Sequence, residues 1–465
     1  MNSNTVFSAL IARYPTTEAL FAYLRSPEGG RLLVRQSKES PLALIYYDKA
    51  VSNLSIPHVG AFRSIVWDER TNRPIGVSPA KGRPLDDLSG SGMGLTSVED
   101  FADGIMINQF WDGERWRLFT RTILDAGLAF YGTYRGGDGP SDSLESQASQ
   151  ANQASNGDKS FAALFHDTMM WQLGVTVANF PKNFCYSWVL NHPAERVVVP
   201  AKYGIPSLTL VELYSVDSAT ANVQTYTGRY YVEHIAPSRL DDEVGMALAK
   251  QLEKALPAQH TDISTVMDIK ARTAAWGRRF RHEWQGIVAR CPLSGARFRI
   301  RSAEYEAARE LRGNQSNLRY LWLEQWAKGK LTTYLTIYPE EAVEAEAVVA
   351  AFKTATEEVY QLYQRVYRRK ELTLGQAPHK YRKLLWEVHA ANSGAYFPAL
   401  RSFMNCQDTA RKLWLVNYER RYGSAAAAVA AADTPVAPPP TPADTDNTRT
   451  EVDAAPVTVQ TVDII

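Results

Sequence analysis

The sequence predicts an α+β fold, with an antiparallel-sheet domain at residues 1–301 and a mainly helical domain at residues 302–423. Up to about residue 301, short runs of alternating apolar residues are separated by Gly, Pro, Asn and Asp, which is typical of antiparallel strands and their turns. Beyond residue 302 the apolar residues recur at helical spacing, and the Ala- and Glu-rich stretch Val343–Glu358 strongly favours a helix. Residues 424–465, rich in Ala, Pro, Thr and Asp, have the composition of a disordered tail.

Ser8–Leu24 predicts one or two short helices, with a break at Pro15-Thr16-Thr17. The polar, low-complexity residues 134–159 predict a surface insertion within the first domain. Leu321–Ile337 fits either strands or helices, and the turn at Lys328–Lys330 favours a β-hairpin. The predicted strands of the first domain outside Phe101–Thr122 and Glu283–Arg301 are Arg31–Arg35, Leu42–Tyr47, Ala61–Asp68, Arg73–Ser78, Asn183–Leu190, Arg196–Pro200 and Ser207–Tyr214.

A β-hairpin is predicted within Phe101–Thr122, the stretch around which the first domain is organised. Apolar and polar residues alternate on both sides of Asp112-Gly113, a pair that strongly favours a hairpin turn. A second Asp-Gly pair, Asp103-Gly104, ends the segment that leads into the first strand. A glycine at that point lets the backbone pass close to a ligand.

Arginines alternate along a second hairpin predicted within Glu283–Arg301. Because alternate residues of a strand face the same side, we expect Arg297, Arg299 and Arg301 on one face. Burying three guanidinium groups without an anion costs on the order of several kcal/mol. We therefore expect this face to meet Asp103, Glu283 or a phosphate of a ligand; the alternative is a basic stripe exposed to solvent.

Together with Phe184–Val199, these hairpins resemble, in order, motifs of covalent nucleotidyltransferases, most closely the phage-type RNA ligases. Phe101–Thr122 resembles the segment that begins at the nucleophile motif Lys-x-Asp/Glu-Gly. Phe184–Val199 resembles the family's Phe-x-Phe-Glu-Leu strand pair, and Glu283–Arg301 resembles Glu-Gly-x-Val followed by Lys-x-Lys. The pair Ala61–Asp68 and Arg73–Ser78 resembles the Arg-Gly-Ile-Val-Phe hairpin that precedes the nucleophile in RNA ligases. The resemblance covers roughly residues 30–301. The chain also resembles diverged members of the family from large DNA viruses, which share the hairpin of Phe101–Thr122 and lack the lysine.

The resemblance implies an ATP-grasp-like ligase fold followed by a helical domain, with ATP and Mg²⁺ as cofactors and RNA as partner. The charged motif positions differ from the family, however. Phe101 stands where the family has its nucleophilic lysine, Val189 and Gln285 where it has glutamates, and Arg299 and Arg301 where it has two phosphate-contacting lysines. The nucleophile must be an amine that attacks the α-phosphate, which phenylalanine cannot do and arginine, always protonated, cannot replace. The catalytic lysine is therefore predicted to be lost.

The nucleotide site is predicted from these motif positions. If a lysine elsewhere is adenylylated, Lys81 is the candidate, because it is the last lysine before the Phe101–Thr122 hairpin and follows a predicted strand. No His, Cys or carboxylate group has metal-ligand spacing, so no metal site is predicted. The predicted nucleotide-binding residues are Asp103, Gly104, Arg121, Glu283, Gln285, Gly286, Arg299 and Arg301.

The end of the helical domain is strongly basic. Gln361–Gly423 contains twelve Lys and Arg against four Asp and Glu, interleaved with Tyr and Trp. Cations for phosphates and rings for unstacked bases predict an RNA-binding surface, although core rings beside a solvated charged face give the same pattern. The predicted nucleic-acid-binding residues are Arg368, Arg369, Lys370, Lys380, Arg382 and Lys383.

Composition and motifs leave three functions open. The chain has no run of 18 apolar residues, no signal-peptide pattern and three widely spaced cysteines, which predicts a cytoplasmic protein without a membrane partner. The leading hypothesis is a diverged RNA-ligase-like nucleotidyltransferase that binds nucleotide, RNA or both. The alternatives are an active ATP-dependent RNA ligase that uses another lysine, and a structural viral protein that retains the fold. The sequence predicts neither protein partners nor an oligomeric state.

Overall fold

The computed structural model describes residues 3–89, 97–128, 160–235, 242–291, 296–313, 315, 317–391 and 394–418. The predicted α+β class is confirmed, because antiparallel sheets precede a series of helices. The described residues form two compact units, one ending at residue 313 and one beginning at residue 315. The first unit thus includes a helix that follows the expected boundary at residue 301. The predicted insertion 134–159 and tail 424–465 lie outside the described residues.

The first unit contains fourteen strands in its described part. They are β1 Ser3–Asn4, β2 Leu33–Gln36, β3 Leu42–Tyr46, β4 Ile65–Asp68, β5 Arg73–Val77, β6 Arg83–Pro84, β7 Ser97–Asp100, β8 Ile105–Trp111, β9 Trp116–Phe119, β10 Cys185–Asn191, β11 Ser207–Val216, β12 Val223–Thr227, β13 Gly286–Arg290 and β14 Arg297–Arg301.

These strands form three sheets. The large sheet has the order β1-β12-β11-β10-β8-β9, and every neighbouring pair is antiparallel. The amino-terminal sheet has the antiparallel order β2-β3-β4-β5. In the middle sheet, β7, β13 and β14 are antiparallel neighbours, and β6 adds to β14 in parallel. The middle sheet therefore brings the segment before β8 next to the predicted arginine strand.

Helices follow the strands in both units. Those of the first unit are α1 Val6–Arg13, α2 Thr17–Arg25, α3 Asp86–Ser89, α4 Phe161–Leu173, α5 Gly228–Tyr230, α6 Asp242–Leu252, α7 Val266–Phe280 and α8 Ala303–Arg312. Those of the second unit are α9 Leu318–Ala327, α10 Leu331–Ile337, α11 Ala342–Tyr363, α12 His379–Ala391, α13 Phe397–Asn405 and α14, residues 409–418. No helix in these ranges is long and apolar enough to cross a lipid bilayer.

The amino-terminal sheet packs in a core with α1, α2 and the large sheet. All five residues of β3 are buried, and the core extends from Phe7 of α1 and Leu20 of α2 to Phe110 and Phe119 of the β8–β9 hairpin. Burying apolar side chains of this size stabilises the fold by about 1.5–3 kcal/mol each. This core fixes the β8–β9 hairpin against the segment that leads into β4.

The strand predicted at Arg196–Pro200 is wrong. The amides of Val198 and Val199 donate to the carboxylate of Asp103 instead of to a neighbouring strand. The continuous apolar run of three valines, residues 197–199, did not distinguish a strand from an extended segment that is held by a side chain.

The β-hairpin favoured at Lys328–Lys330 is also wrong, because this turn joins helices α9 and α10. Gly329 has a φ of +68°, and the amide of Lys330 donates to the carbonyl of Gln325 at 2.8 Å. A left-handed glycine of this kind commonly ends a helix. Gly329 therefore ends a helix, although the sequence had favoured a turn between two strands at this position.

Candidate functional site

The arginines of β14 line one face of the strand, and two of them enclose the ring of Phe101. The guanidinium carbon of Arg297 lies 5.6 Å from the centroid of that ring, and the guanidinium carbon of Arg301 lies 5.3 Å from it. Only 9% of the side chain of Arg297 and 8% of the side chain of Arg301 are exposed. At these two positions the face is buried rather than a basic stripe in solvent.

Phe101 itself is buried at the end of β7. Its amide donates to the carbonyl of Gly286 at 2.9 Å, and its ring belongs to a cluster with Met106, Val189 and Val288. The cavity beside this cluster has a volume of about 10 Å³, which is room for about one water. The position at which the resemblance would place a lysine is therefore filled by an aromatic ring, which two cations stabilise through its π face.

Asp103 uses both of its carboxylate oxygens inside the unit. One oxygen accepts from the hydroxyl of Tyr305 at 2.6 Å, and the other accepts from the amides of Val198 at 3.0 Å and Val199 at 2.7 Å. Burial raises the pKa of Asp103, although these hydrogen bonds and the charge of Arg301 oppose the rise. Asp103 thereby ties α8 and the 198–199 segment to the start of β8.

The two predicted site glycines allow close packing of neighbouring strands. Gly104 and Gly286 both have a φ of +147°. A Cβ on Gly104 would lie 2.2 Å from the carbonyl oxygen of Leu190, and a Cβ on Gly286 would lie 2.1 Å from that of Ile300. Both positions exclude any side chain, for conformational and steric reasons together.

Arg63 and Arg121 approach the arginines of β14 from the other two sheets. The hydroxyl of Ser64 donates to the carbonyl of Thr120 at 2.9 Å, which joins the segments that carry them. Arg121 donates to the carbonyl of Tyr47 at 2.9 Å, and its guanidinium carbon lies 4.9 Å from the centroid of the Tyr47 ring. These contacts fix the side chain of Arg121, whose charge acts on that of Arg63 together with the charges of Arg297 and Arg299.

We refer to Arg63, Arg121, Arg297, Arg299 and Arg301 as the arginine cluster. Burial and the charges of neighbouring guanidinium groups lower the pKa of Arg63 to about 10 and the pKa of Arg299 to about 10. In the part of the chain that the structure describes, no carboxylate forms an ion pair with either of them, whereas Arg301 pairs with Glu306 at 2.8 Å. Both groups stay protonated at neutral pH, so the cluster holds positive charge that a bound anion would compensate.

A cavity of about 970 Å³ lies beside Arg297. Lys81 and Arg290 also line it, as do Tyr226 and Tyr230, whose rings are nearly parallel with centroids 6.2 Å apart. Two nitrogens of Arg297, Nε and Nη1, are buried and have no hydrogen-bond partner within the described ranges. A cavity of this volume holds a small organic ligand, and buried donors without partners favour one with phosphate oxygens.

A buried ion-pair network borders the same cavity. Glu212 accepts hydrogen bonds from Tyr214 and Arg290, and its carboxylate lies 4.0 Å from Arg297. Arg290 also lies 3.7 Å from Glu99. Burial acts to raise the pKa of Glu212, but Arg290 and Arg297 bring it below its usual value. Arginine thus neutralises Glu99 and Glu212 beside the cavity.

These carboxylates do not fit a protein-held Mg²⁺. A magnesium ion needs oxygen ligands that are free to coordinate it, and those of Glu99 and Glu212 face Arg290. Among the described residues, no three His, Cys, Asp or Glu side chains are placed to hold a metal ion. The donor set of the cavity fits phosphate oxygens better than a cation.

The remaining predicted residues of the first unit lie at different distances from the cavity. Lys81 is exposed, lines the cavity, and donates its amide to the carbonyl of Gly60 at 3.0 Å. Gln285 is buried, and its carbonyl accepts from the amide of Ser302 at 3.0 Å. Glu283 is exposed and is not among the residues that line the cavity. The structure thus brings Lys81 to the cavity, whereas none of the eight predicted nucleotide-binding residues is among the described residues that line it.

In the second unit, two of the six predicted cations hold backbone segments. Arg368 donates to the carbonyl of Gly394 at 2.7 Å, and Arg382 donates to the carbonyl of Ala377 at 2.7 Å. Such contacts fix loops next to α12, and both side chains are still exposed to solvent. Arg368 and Arg382 therefore both hold the backbone of their own unit and present positive charge at its surface.

The other four cations differ in burial. Lys380 is half-buried and lies 3.7 Å from Glu358. Arg369, Lys370 and Lys383 are exposed, and within the described ranges neither lysine forms an ion pair. Positive charge is therefore available at two places on this unit, after α11 and on α12.

The aromatic residues of this unit divide between core and surface. Tyr363 and Tyr381 are 1% and 2% exposed and belong to the core, whereas Trp386 is 59% exposed. Tyr396, which no sequence pattern singled out, is 69% exposed. The interleaved rings of the sequence thus combine both interpretations that were left open.

Sequence reasoning did not identify Arg63, Glu212 or Arg290 as site residues. Arg63 lies within the stretch that resembles the Arg-Gly-Ile-Val-Phe hairpin, so that motif was a usable signal. Glu212 and Arg290 lie inside strands that were predicted from their apolar residues alone, and they become partners only when the large and middle sheets meet.

Comparisons with known proteins gave structural matches only. No protein-family model matches the sequence, and no curated protein matches it. An archaeal ATP-dependent RNA ligase, form 2, is similar over 73% of this chain and 74% of that chain, with 10% identity and a TM-score of 0.33. Form 1 of the archaeal ligase gives 11% identity and a TM-score of 0.32, with 73% of each chain covered. A mutant RNA ligase from Naegleria gruberi with ATP and Mn covers 59% of this chain and 76% of its own, with 11% identity and a TM-score of 0.26.

Proposed function

We propose that this chain is a diverged RNA-ligase-like nucleotidyltransferase that binds the phosphates of a nucleotide at the arginine cluster and lacks the family's amine nucleophile. The arginine cluster carries this proposal. Arg63 and Arg299 are desolvated without a carboxylate partner in the described part of the chain, and two buried nitrogens of Arg297 have no acceptor. A polyphosphate bound in the cavity supplies acceptors to Arg297, the one member of the arginine cluster that lines it, and its negative charge offsets the positive charges of Arg63 and Arg299.

The cavity supports a nucleotide rather than a simple inorganic anion. Its volume of about 970 Å³ greatly exceeds that of a phosphate group. Beside the cations, its lining includes the apolar side chains of Phe7 and Ile56 and the rings of Tyr226 and Tyr230. A base and a ribose would lie against this part while the phosphates meet Arg297.

Phe101 argues against covalent nucleotidyl transfer at the hairpin. The transfer needs a deprotonated amine in line with the α-phosphate. The ring of Phe101 has no such group, and the guanidinium groups of Arg297 and Arg301, which lie near it, cannot act as the amine nucleophile. The proposed site therefore binds a nucleotide without forming a phosphoramidate there.

RNA is the proposed macromolecular partner of the second unit. Lys370 and Lys383 offer charge without an ion pair in the described ranges, and Trp386 offers an exposed ring. Cations and exposed rings on one unit are suited to a nucleic-acid backbone and to unstacked bases.

Lys81 supports a second candidate function, an active ATP-dependent RNA ligase. It lines the same cavity as Arg297, so its amine could attack the α-phosphate of a nucleotide there, with pyrophosphate as the leaving group. The resulting phosphoramidate would then be used for end joining. This candidate differs from the leading one in a single observable, the covalent adduct.

Incubation with α-labelled ATP and Mg²⁺ tests both. We expect ATP to be retained with the native protein on a filter, and no labelled band to survive a denaturing gel. A labelled peptide within residues 97–122 would contradict the leading proposal. An adduct that disappears in Lys81→Arg would establish the ligase alternative, and absence of both signals would favour a structural protein.

A further inference from the structure

An exposed tyrosine in the second unit is held in place by an arginine. The guanidinium carbon of Arg368 lies 4.6 Å from the centroid of the Tyr396 ring. The same guanidinium donates to the carbonyls of Gly394 at 2.7 Å and Ala395 at 3.4 Å, so it fixes the segment that carries the ring. Tyr396 is nevertheless 69% exposed. One side of the ring meets a cation, and much of the remainder faces solvent.

The end of α11 places further charge directly after Arg368. The helix continues as a π-helical turn, Gln364–Arg368, a geometry often found at functional sites. Arg369 and Lys370 follow, both exposed, and Lys370 has a φ of +56°, which ends the helical direction. Arg369 lies 3.7 Å from Glu371, while Lys370 forms no ion pair with any described residue.

We infer that Tyr396 is a stacking platform for one base of a single-stranded nucleic acid, with Arg368 fixing the ring and Arg369 and Lys370 meeting the adjacent phosphates. This inference rests on the proposed function, since it assigns residues to the RNA binding of the second unit. It adds Tyr396, which no sequence motif indicates.

The geometry favours a single strand over a duplex. Bases of a duplex are paired and stacked on each other, whereas an unpaired base offers both faces to an aromatic ring. Stacking on an aromatic ring tolerates any base, which suits an exposed ring that is held by a cation. Because Arg368 already orders the ring, little conformational entropy is lost when a base stacks on it.

Fluorescence anisotropy of a labelled oligouridylate of about 12 nucleotides with the full chain tests the inference. We expect Tyr396→Ala to weaken binding about tenfold, the effect typical of losing one stacked base, and Tyr396→Phe to stay within about twofold of the unchanged protein. Tyr203→Ala is the matched control, because Tyr203 is 88% exposed with the amine of Lys202 5.5 Å from its ring centroid, and lies in the first unit. We expect it to have no effect.

Salt dependence separates the ring from the charges. Lys370→Ala is expected to reduce the slope of log affinity against log salt by about one, whereas Tyr396→Ala leaves the slope unchanged. Loss of binding in Tyr396→Phe, or an equal loss in Tyr203→Ala, would overturn the assignment. Failure of the full chain to bind the oligonucleotide would also overturn the assignment. ATP retention at the arginine cluster would then show whether the nucleotide proposal stands on its own.

Discussion

Arg299 illustrates how the arginine cluster relates binding to stability. Its side chain packs against Gly82, where an added Cβ would lie 3.3 Å from the Cδ of Arg299. No described carboxylate forms an ion pair with Arg299. Burial and the charges of Arg301 and Arg297 lower its pKa to about 10, which means that the folded state disfavours its charged form. A group held in this way binds anions well because it is poorly compensated without them.

We therefore predict that Arg299→Gln raises the thermal midpoint of the ligand-free protein, since it removes one of several charges that repel each other. Pyrophosphate should raise the midpoint of the unchanged protein by mass action, and should do so much less in the variant. Differential scanning fluorimetry in phosphate-free buffer measures both effects.

Arg278→Gln is the matched control for charge removal. Arg278 lies exposed on α7 of the same unit, outside the cavity. It should leave the midpoint and the pyrophosphate effect unchanged. A lower midpoint for Arg299→Gln without ligand would show that Arg299 stabilises the fold, contrary to the role given to it here.

The sequence predicted which residues share a face where a strand pattern fixed the direction of their side chains. The common face of Arg297, Arg299 and Arg301 follows from period-two geometry, and the structure has it. The pairing of Glu212 with Arg290 could not be predicted, because the two are 78 residues apart in sequence and meet only across two sheets. The burial of Phe101 under two guanidinium groups depends on the same packing.

At the scale of elements, substitutions at two glycines distinguish the cost of an unfavourable backbone conformation from the cost of a steric clash. Gly104 and Gly113 both have positive φ, +147° and +105°. A Cβ on Gly104 would lie 2.2 Å from a backbone oxygen, whereas nothing lies within 4 Å of a Cβ on Gly113. We predict that Gly104→Ala lowers the free energy of unfolding by about 2–4 kcal/mol and Gly113→Ala by about 1 kcal/mol.

Urea denaturation of the two variants measures this difference. The larger loss in Gly104→Ala should come with weaker ATP retention, because the strand that follows Phe101 must shift. Equal losses in the two variants would mean that the close approach to Leu190 is relieved at little cost, and that the glycine is needed only for its backbone conformation.

Elements were predicted correctly where periodicity and turn chemistry agreed. The β8–β9 hairpin around Asp112-Gly113 is one case, and the helical break at Pro15 is another, where the structure has two helices and the sequence predicted one or two. The prediction was wrong for Arg196–Pro200 and for the turn at Lys328–Lys330. In both cases a distant partner or a helix end, rather than the local pattern, decided the structure.

At the scale of the whole molecule, the arginine cluster exists only because three sheets meet in the first unit. Arg63 comes from the amino-terminal sheet's side, Arg121 follows the last strand of the large sheet, and three arginines come from the middle sheet. No single segment shows this arrangement, and the ordered resemblance to RNA-ligase motifs was the signal that predicted part of it. The succession of a strand-rich part and a helical part was predictable from the spacing of apolar residues. The place where the three sheets meet was not.

The most direct test of the account is calorimetric titration of ATP into the full chain and into the double variant Arg63→Gln/Arg299→Gln, with Arg278→Gln as control. Charged hydrogen bonds of this kind contribute about 1.5–3 kcal/mol each. We predict that the unchanged protein and the control bind ATP alike and that the double variant binds at least about 100-fold more weakly. Equal affinity in all three, or no binding of ATP by the unchanged protein, would contradict the assignment of the arginine cluster as a nucleotide phosphate site.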